Sequence, residues 1–346
     1  MTMTPRTGIL AGGNFIIDYV KMIDSYPQQD MLVNIISETS SNGGGPYNVL
    51  KDLAAMKAPF PLEAAGLVGR DSNGDWILRD CIEAGIGTRQ LRQTELAPTS
   101  YTDAMTVAST GRRTFFHQRG ANALLGEGDF DFSGTSARIF HLGYLMLLDE
   151  MDRQLPDGGT VAACVLRKAR RSGLVTSVDI VSTENPHFRA IAEAALPHTD
   201  YLLINEIEAG KVAGMDLRDG ARVSIGATQR AARALLDKGV GQQVVIHFET
   251  GAVVADRSGE VVVEGSLRLP SNFIVGATGA GDAFAAGYLY GIHAQMPTLD
   301  RLRLGMCTAA ACLTHPTPSL GLRPVAECLE LGRQFGFRSL DGVEEG

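Results

Sequence analysis

The sequence predicts an α/β protein, built on a doubly wound, mostly parallel β-sheet that is flanked by helices. From residue 138 onward, short apolar strands alternate regularly with helical stretches, which is typical of βαβ units. Two earlier segments, about 15–40 and 97–120, are predicted to be strands instead, and they interrupt this alternation. We expect them to form a small separate β-sheet, and we predict one α/β domain over residues 1–346.

Composition limits the classes of function. The chain has 346 residues, of which 45% are apolar and 20% charged, so it can bury a large core. The net charge of −8 argues against a general nucleic-acid surface. The five cysteines are irregularly spaced and match no metal-binding pattern. No signal-peptide core or membrane-spanning apolar run is present, so we expect a cytoplasmic protein without a membrane partner.

The elements of the first part follow from glycine, proline and branched residues. Residues 8–13 are predicted to form a short buried strand that ends in glycines, and 31–36 another that is rich in branched side chains. Pro46 suits the first turn of a helix. Residues 62–68 form a strand, after which Asp71 or Ser72 can cap the next helix.

The second half shows the regular alternation. Short strands are predicted at 138–142, 174–178, 201–204 and 244–248, with helices at 160–171, 187–195 and 227–237. A hairpin is predicted over residues 252–263. Two helices then follow, one after residue 280 and one from 299 to about 313, and the polar segment after residue 335 is expected to be loosely held.

The stretch 275–284, Val-Gly-Ala-Thr-Gly-Ala-Gly-Asp-Ala-Phe, carries the strongest chemical signal. A loop of small residues that opens a helix presents free backbone N–H groups and the positive end of the helix dipole, which suits a phosphate. Asp282 is either an ordinary helix-start acid or a general base beside that phosphate.

Residues 278–284 resemble the C-terminal signature of the PfkB (ribokinase-like) family of carbohydrate and nucleoside kinases. The segments 43–48 and 66–74 are similar to earlier motifs of the same family, and the resemblance extends from about residue 8 to 320. It implies a ribokinase-like fold whose small β-sheet is a lid over the sugar. It also implies that Gly279, Ala280 and Gly281 form an anion hole for the γ-phosphate of ATP. Asp282 would then be the catalytic base.

The resemblance also implies a substrate site. In this family the residues equivalent to Asp18 and Asn48 bind substrate hydroxyls, and Gly43 and Gly44 belong to the N-terminal signature. Further candidates follow strand ends: His117, Arg119 and Asp179. Residues 116–122 resemble sugar kinases more than adenosine kinases. Ordinary alternatives remain open, namely a flexible glycine turn at 43–45, an edge carboxylate at Asp18 and a solvated hairpin edge at His117 and Arg119.

A nucleotide and metal site is implied at the following strand ends. Asn205 and Glu208 match the Asn-x-x-Glu motif of the family and are candidates for organising Mg²⁺ through water. Without the family they would be an N-cap and a capping-box acid, and both roles can hold together. Thr278 and Gly251 are the other candidates for binding ATP.

Two departures from the family pattern concern the nucleotide site. Phe248 stands where the family usually has a glycine, so the nucleotide loop is expected to differ in shape. Gly276 replaces the acid that helps hold a monovalent cation in ribokinases, which predicts weak or absent K⁺ activation. His247 is expected to be structural.

The leading hypothesis is an ATP-dependent carbohydrate kinase that phosphorylates a hydroxyl of a sugar or sugar acid. A nucleoside kinase on the same fold and a non-catalytic sugar-binding protein are the alternatives. An exposed edge of the lid sheet makes a homodimer the expected assembly.

Overall fold

The computed structural model describes residues 6–340. Its strands are β1 (Ile9–Gly13), β2 (Ile16–Ile23), β3 (Ile35–Gly43), β4 (Leu62–Gly69), β5 (Gly87–Thr94), β6 (Tyr101–Val107), β7 (Arg113–Gln118), β8 (Ile139–Leu145), β9 (Val175–Ile180), β10 (Tyr201–Asn205), β11 (Arg218–Asp219), β12 (Arg222–Val223), β13 (Gln243–Phe248), β14 (Gly251–Asp256) and β15 (Val261–Gly265). Its α-helices are α1 (Gly45–Ala55), α2 (Ser72–Glu83), α3 (Asp149–Asp152), α4 (Val161–Arg171), α5 (Phe188–Ala195), α6 (Glu206–Ala213), α7 (Ile225–Asp237), α8 (Ala280–His293), α9 (Thr298–Cys312) and α10 (Val325–Phe335).

The main sheet has nine strands in the order β15-β14-β13-β10-β9-β8-β1-β4-β5. Neighbouring strands from β13 to β5 pair in parallel, and β14 and β15 add an antiparallel edge. One apolar cluster packs α1, α2, α8, α9 and α10 on one face, and a second packs α3 to α7 on the other. The predicted doubly wound α/β fold is confirmed.

A second sheet of four strands, in the order β3-β2-β6-β7, is formed by the two inserted segments. Strands β2 and β6 pair in parallel, whereas the two outer pairings are antiparallel. Its strands β6 and β7 form an antiparallel hairpin. A small lid-like sheet beside the main domain is therefore confirmed.

Asp71 ties the root of this lid to the main domain. Its side chain caps α2 by accepting a hydrogen bond of 2.8 Å from the backbone N–H of Gly74, as the sequence predicts. It also accepts bonds of 2.7 Å from both the N–H and the hydroxyl of Thr99, where the second lid segment begins. One carboxylate thus connects a helix start to the lid.

The prediction of a strand at 31–36 is wrong for residues 31–34 and right only for its last two residues, because β3 begins at Ile35. Residues 24–34 form a connecting loop in which Asp24 accepts a bond of 3.0 Å from the side chain of Asn34. Of the branched residues in this segment, Ile35 and Ile36 belong to β3, at the edge of the lid sheet, where Ile36 is 61% exposed. Their β-propensity therefore fits an exposed edge strand rather than a buried one.

Three features of the fold escape the sequence patterns. Strand β5 and helix α10 were not predicted, and the segment after residue 335 is not loose throughout. Leu267 and Phe337 form an antiparallel bridge, and Arg338 donates its N–H to the carbonyl of Ser266 at 2.8 Å. The ends of the predicted domain, 1–5 and 341–346, lie outside the described residues. Within 6–340 no helix is long and apolar enough to cross a membrane.

Candidate active site

Polar side chains meet at the carboxyl edge of the main sheet. Asn14 follows β1, Tyr144 lies near the end of β8, Asp179 lies near the end of β9, and Asn205 ends β10. Parallel strands bring their carboxyl ends to one edge, which is where open α/β sheets bind ligands. The anion loop, residues 276–281, and the start of α8 face the same edge, so the sheet and this loop together define the site.

Asp282 is buried in the first turn of α8, with 5% of its surface exposed. Its Oδ2 accepts a hydrogen bond of 2.8 Å from the side-chain amide of Asn48, and its Oδ1 accepts one of 2.5 Å from the Tyr144 hydroxyl. Burial raises the pKa of Asp282 to about 6, although both hydrogen bonds favour the ionised form. The carboxylate is therefore poised to exchange a proton near neutral pH.

The anion loop depends on glycine at its last turn. Gly279 precedes α8 with a φ of 79°, and a Cβ there would lie 2.5 Å from the Cβ of Pro318. Only glycine combines this left-handed conformation with such close packing. The loop leaves the first N–H groups of a 14-residue helix without carbonyl partners in the helix, which favours an anion.

The lid reaches this loop through Arg113, the first residue of β7. Its guanidinium donates a hydrogen bond to the hydroxyl of Thr278. Burial lowers the pKa of Arg113 below its usual value. The lid thereby adds a cationic side chain beside the N-terminus of α8.

The glycine-rich segment 43–45 is not a flexible turn but the junction of β3 with α1. Gly44 has a φ of 89°, and a Cβ there would lie 2.5 Å from the carbonyl oxygen of Asn14. The junction fixes Asn48, whose side-chain oxygen accepts a bond of 2.7 Å from Asn42. Asn42 also donates to the hydroxyl of Ser319 at 2.9 Å. A chain of side chains therefore orients the amide that holds Asp282.

Four polar residues share one row across the lid sheet: Ser41, Asp18, Thr102 and His117 are register partners on its four strands. Because they are register partners, their side chains lie on the same face. Asp18 lies against Gly43, where a Cβ would be 2.4 Å from its carboxyl group. Burial, and then the charge of Asp282, raises the pKa of Asp18 to about 7. This effect of Asp282 places the row close to that carboxylate.

Unsatisfied polar atoms mark this row. The Nδ1 atom of His117 lies 3.0 Å from the hydroxyl of Thr102, and burial followed by the charge of Arg119 lowers its pKa. Within the described part of the chain, the buried His117 Nε2 and Ser41 Oγ have no hydrogen-bond partner. Buried polar atoms without partners are rare in folded proteins, and a bound ligand would satisfy them.

Arg119 is directed elsewhere. It forms an ion pair of 2.7 Å with Asp149 and donates to the carbonyl of Met146 at 3.2 Å. It lines a separate cavity together with Asp152 and His187. The structure therefore does not bring Arg119 into the row that contains Asp18 and His117.

Asn205 and Glu208 form the capping box that the sequence allows. Asn205 accepts from the N–H of Glu208 at 2.9 Å, and Glu208 accepts from the N–H of Asn205 at 2.9 Å. The second oxygen of Glu208 accepts from Ser182 and from the amide of Asn205, both at 2.8 Å. Burial and then the charge of Glu208 raise the pKa of Asp179 well above its usual value, so these two acids face each other.

Asn205, Glu208 and Asp179 fit a magnesium ion that is held through water. Carboxylate and amide oxygens are the ligands that Mg²⁺ takes in proteins, usually with several waters retained. Two like-charged buried carboxyl groups are most easily ionised when a cation lies nearby. No cluster of three or more His, Cys, Asp or Glu suited to direct metal binding occurs between residues 6 and 340.

A cavity of about 340 Å³ lies beside the anion loop. Its walls include Phe248, Ala280, Gly281 and the apolar face of α9, with Glu206 and His247 at its polar end. Phe248 therefore forms part of the wall of this cavity. Gly251 does not line it, because it packs against Glu264 and Leu340.

Sequence reasoning missed five residues around Asp282: Tyr144, Asn42, Ser319, Arg113 and Asp52. Tyr144 could have been found, because it follows a predicted strand at the ligand edge. Asp52 could also have been found as an acid four residues after Asn48, within an apolar helical pattern. Arg113, Asn42 and Ser319 carry no local signal, since tertiary structure alone brings them to the site.

The family model for "pfkB family carbohydrate kinase" matches residues 7–323. The chain belongs to the PfkB family of carbohydrate kinases. The predicted family and the ATP-dependent kinase class are confirmed, and the kinase is one of the ribokinase-like enzymes that act on sugars or nucleosides.

Three relatives show the range of the family. An ATP-dependent ribose-1-phosphate kinase from Halopiger xanaduensis is 27% identical over 290 residues, which cover 81% of this chain and 83% of the relative. The structure of Arabidopsis thaliana ribokinase with ribose and ATP superposes with a TM-score of 0.77 at 19% identity, covering 94% of this chain and 98% of the other. The structure of a nucleoside kinase from Methanocaldococcus jannaschii superposes with a TM-score of 0.73 at 16% identity, covering 96% of this chain and 100% of the other.

Asp52 of this kinase is fully buried on α1, and neither of its carboxyl oxygens has a hydrogen-bond partner within residues 6–340. Burial raises the pKa of Asp52 well above its usual value of 3.8. Above that value the unfolded chain releases a proton that the folded chain keeps, so rising pH destabilises the folded state. Asp52→Asn removes this pH-dependent loss of stability.

We therefore expect Asp52→Asn to raise the melting temperature at about pH 7 and to have little effect near about pH 4. Thermal unfolding over this range measures the difference in Tm between variant and wild type. The exposed Asp237→Asn is the control. A difference that does not grow with pH would contradict the prediction.

Proposed function

We propose that this kinase transfers the γ-phosphoryl group of ATP to a hydroxyl of a sugar or sugar acid, with Asp282 as the general base. The observation that carries the proposal is the position of Asp282, a buried carboxylate in the first turn of a helix whose N-terminus opens on an anion loop. The acceptor hydroxyl would lie between the two, within reach of both base and phosphate.

Asp282 can accept a substrate proton without losing its present partners. A carboxylate offers about four lone-pair sites, and Asn48 and Tyr144 use two of them. These two donors hold the carboxylate in one orientation, so the remaining lone pairs have a defined direction. Since the pKa of Asp282 is about 6, activity should fall as the pH drops through this value and the base becomes protonated.

The backbone N–H groups of Gly279, Ala280 and Gly281 would stabilise the charge of the transferred phosphoryl group. Thr278 would add a hydroxyl from the loop itself and Arg113 a cation from the lid, since their hydrogen bond brings the guanidinium group to the loop. Asn205 and Glu208 would hold Mg²⁺ through water, and the ion would neutralise the β- and γ-phosphates.

The polar row of the lid supports a hydroxylated acceptor. Asp18 presents a carboxyl group, and His117 presents a ring nitrogen that has no hydrogen-bond partner within residues 6–340. Asn48 lies beside them, hydrogen-bonded to the proposed base Asp282. The names of the relatives, ribose-1-phosphate kinase and ribokinase, agree with a sugar or sugar phosphate. The next row on the same face contains Val20, Ala104 and Phe115, and these apolar side chains favour the alternative of a nucleoside.

The first test is ADP release with Mg-ATP across aldoses, ketoses, sugar acids, sugar phosphates and nucleosides. Turnover of a sugar or sugar acid supports the leading proposal. Turnover of a nucleoside alone would favour the alternative acceptor, and sugar binding without ADP release would favour a non-catalytic protein.

Asp282→Asn should bind substrates with unchanged affinity but turn over about 100- to 10,000-fold more slowly, because the amide cannot accept the proton. Steady-state kinetics and substrate titrations measure the two effects separately. Asp300→Asn, at an exposed first-turn acid of α9, is the matched control. Near-normal turnover of Asp282→Asn would remove Asp282 from this role.

K⁺ should have little effect on the rate. Gly276 supplies no carboxylate, and a Cβ at this position would lie 2.7 Å from the Cα of Pro316, so the loop has no space for an acid. Rates with K⁺ and with a bulky organic cation at equal ionic strength test this expectation. A large advantage for K⁺ would contradict it.

We further propose that two copies of the kinase pair through their lids. Strands β3 and β7 are sheet edges, and apolar side chains nearby are exposed: Met31, Leu32, Ile36 and Phe116. Leu32 is 86% exposed, which is unfavourable in an isolated molecule. A second copy that covers this surface would bury both the edge and the apolar groups.

Light scattering coupled to size exclusion should therefore give a dimer for wild type and a monomer for Leu32→Lys/Ile36→Lys. The exposed Leu96→Lys, outside the lid strands, is the control and should remain dimeric. A monomeric wild type would refute lid-mediated pairing.

A further inference from the structure

A second cavity of about 540 Å³ lies next to the cavity beside the anion loop. Hairpin β11–β12, the residues after β13, and the C-terminal segment 338–340 form its walls. Four arginines line it: Arg218, Arg222, Arg268 and Arg338. We call it the arginine cavity.

Its charge is opposite to that of the whole chain. Among residues 6–340, the lining contains four guanidinium groups and one carboxylate, Glu249, whereas the whole chain has a net charge of −8. Arg218 is neutralised by an ion pair with Glu206. The side chains of Arg222 and Arg268 form no ion pair with any residue in 6–340, which leaves their charges available to a ligand.

The cavity is held by backbone structure rather than by loose side chains. Arg268 donates its N–H to the carbonyl of Gly336 at 3.1 Å, and the N–H of Arg338 bonds to Ser266. A Cβ at Gly265 would lie 2.1 Å from the carbonyl oxygen of Arg338, so the two segments are in direct contact. Two arginines from distant parts of the chain are thereby fixed near each other.

The C-terminal wall of the arginine cavity lies outside the family match, which ends at residue 323. Arg338 therefore has no counterpart that the family model predicts. Guanidinium groups bind phosphate through two parallel hydrogen bonds, and several of them together select a multiply charged anion. The volume is within the range of small-molecule sites.

We propose that the arginine cavity binds a small molecule that carries two or more phosphate charges, such as a diphosphate or a sugar bisphosphate. Arg338 and Glu249 line both this cavity and the neighbouring one. An anion that draws Arg338 toward itself changes the wall of the other cavity and so alters nucleotide affinity. The binding site stands on its own, whereas this coupling rests on the proposed nucleotide site.

Pyrophosphate is the probe, titrated by calorimetry into the full chain that is already saturated with the non-hydrolysable β,γ-imido analogue of ATP. We expect binding to persist, and to weaken about tenfold or more in Arg222→Ala/Arg268→Ala, because two charged hydrogen-bond donors are lost. Arg222→Gln/Arg268→Gln, which keeps most of each side-chain stem, should show the same loss. Arg230→Ala, an exposed arginine of α7, is the matched control and should bind like wild type.

Pyrophosphate binding that is abolished by the ATP analogue, or that is equally tight in both double variants, would overturn the arginine cavity as a site. Sugar bisphosphate and ADP, titrated in the same way, then identify which phosphate spacing fits. Failure of Asp282→Asn to lose turnover would leave this result unchanged, so the two proposals fail separately.

Discussion

In the proposed mechanism, the carboxylate of Asp282 has to be buried and still be able to lose its proton, and much of the site follows from this requirement. Burial alone would keep the acid neutral at neutral pH, because an ionised group in a dry interior is unfavourable. Asn48 and Tyr144 offset part of that cost with two hydrogen bonds. Each donor is fixed in turn: Asn48 by Asn42, and Tyr144 through its backbone N–H, which bonds to Asn14 at 2.6 Å. The strand ends and the β3–α1 junction thus position one acid.

The fold could be predicted well from the sequence, because it depends on local patterns. Alternating apolar strands and helices gave the doubly wound sheet, and the capping signals at Asp71 and Asn205 mark helix starts that the structure confirms. Of the strand predicted at 31–36, only Ile35 and Ile36 join β3, whereas residues 31–34 lie in the connecting loop. Strand β5 was not predicted because it lies at the edge of the sheet and its residues are mostly polar, Gly-Thr-Arg-Gln-Leu-Arg-Gln-Thr.

The candidate site could be predicted only where one segment carries the whole signal. Asp282 and its glycines are contiguous, as are Asn205 and Glu208, so the sequence shows them directly. Arg119 illustrates the limit: its place after a lid strand suggested the substrate, but the nearby Asp149 draws it to the outside. Arg113 illustrates the opposite case, in which a residue without any motif reaches Thr278 across 165 positions of the chain.

The hydroxyl of Tyr144 has a consequence for the enzyme without its acceptor. A kinase base that faces an empty cleft can activate water, which would hydrolyse ATP to ADP and phosphate without phosphorylating an acceptor. In this structure the Oδ1 atom of Asp282 already accepts a hydrogen bond of 2.5 Å from the Tyr144 hydroxyl. The tyrosine thereby occupies part of the surface that a water molecule would otherwise use. With Asp282 as the proposed base, the contact that orients it also leaves fewer lone pairs open to water, while those proposed for the acceptor stay available.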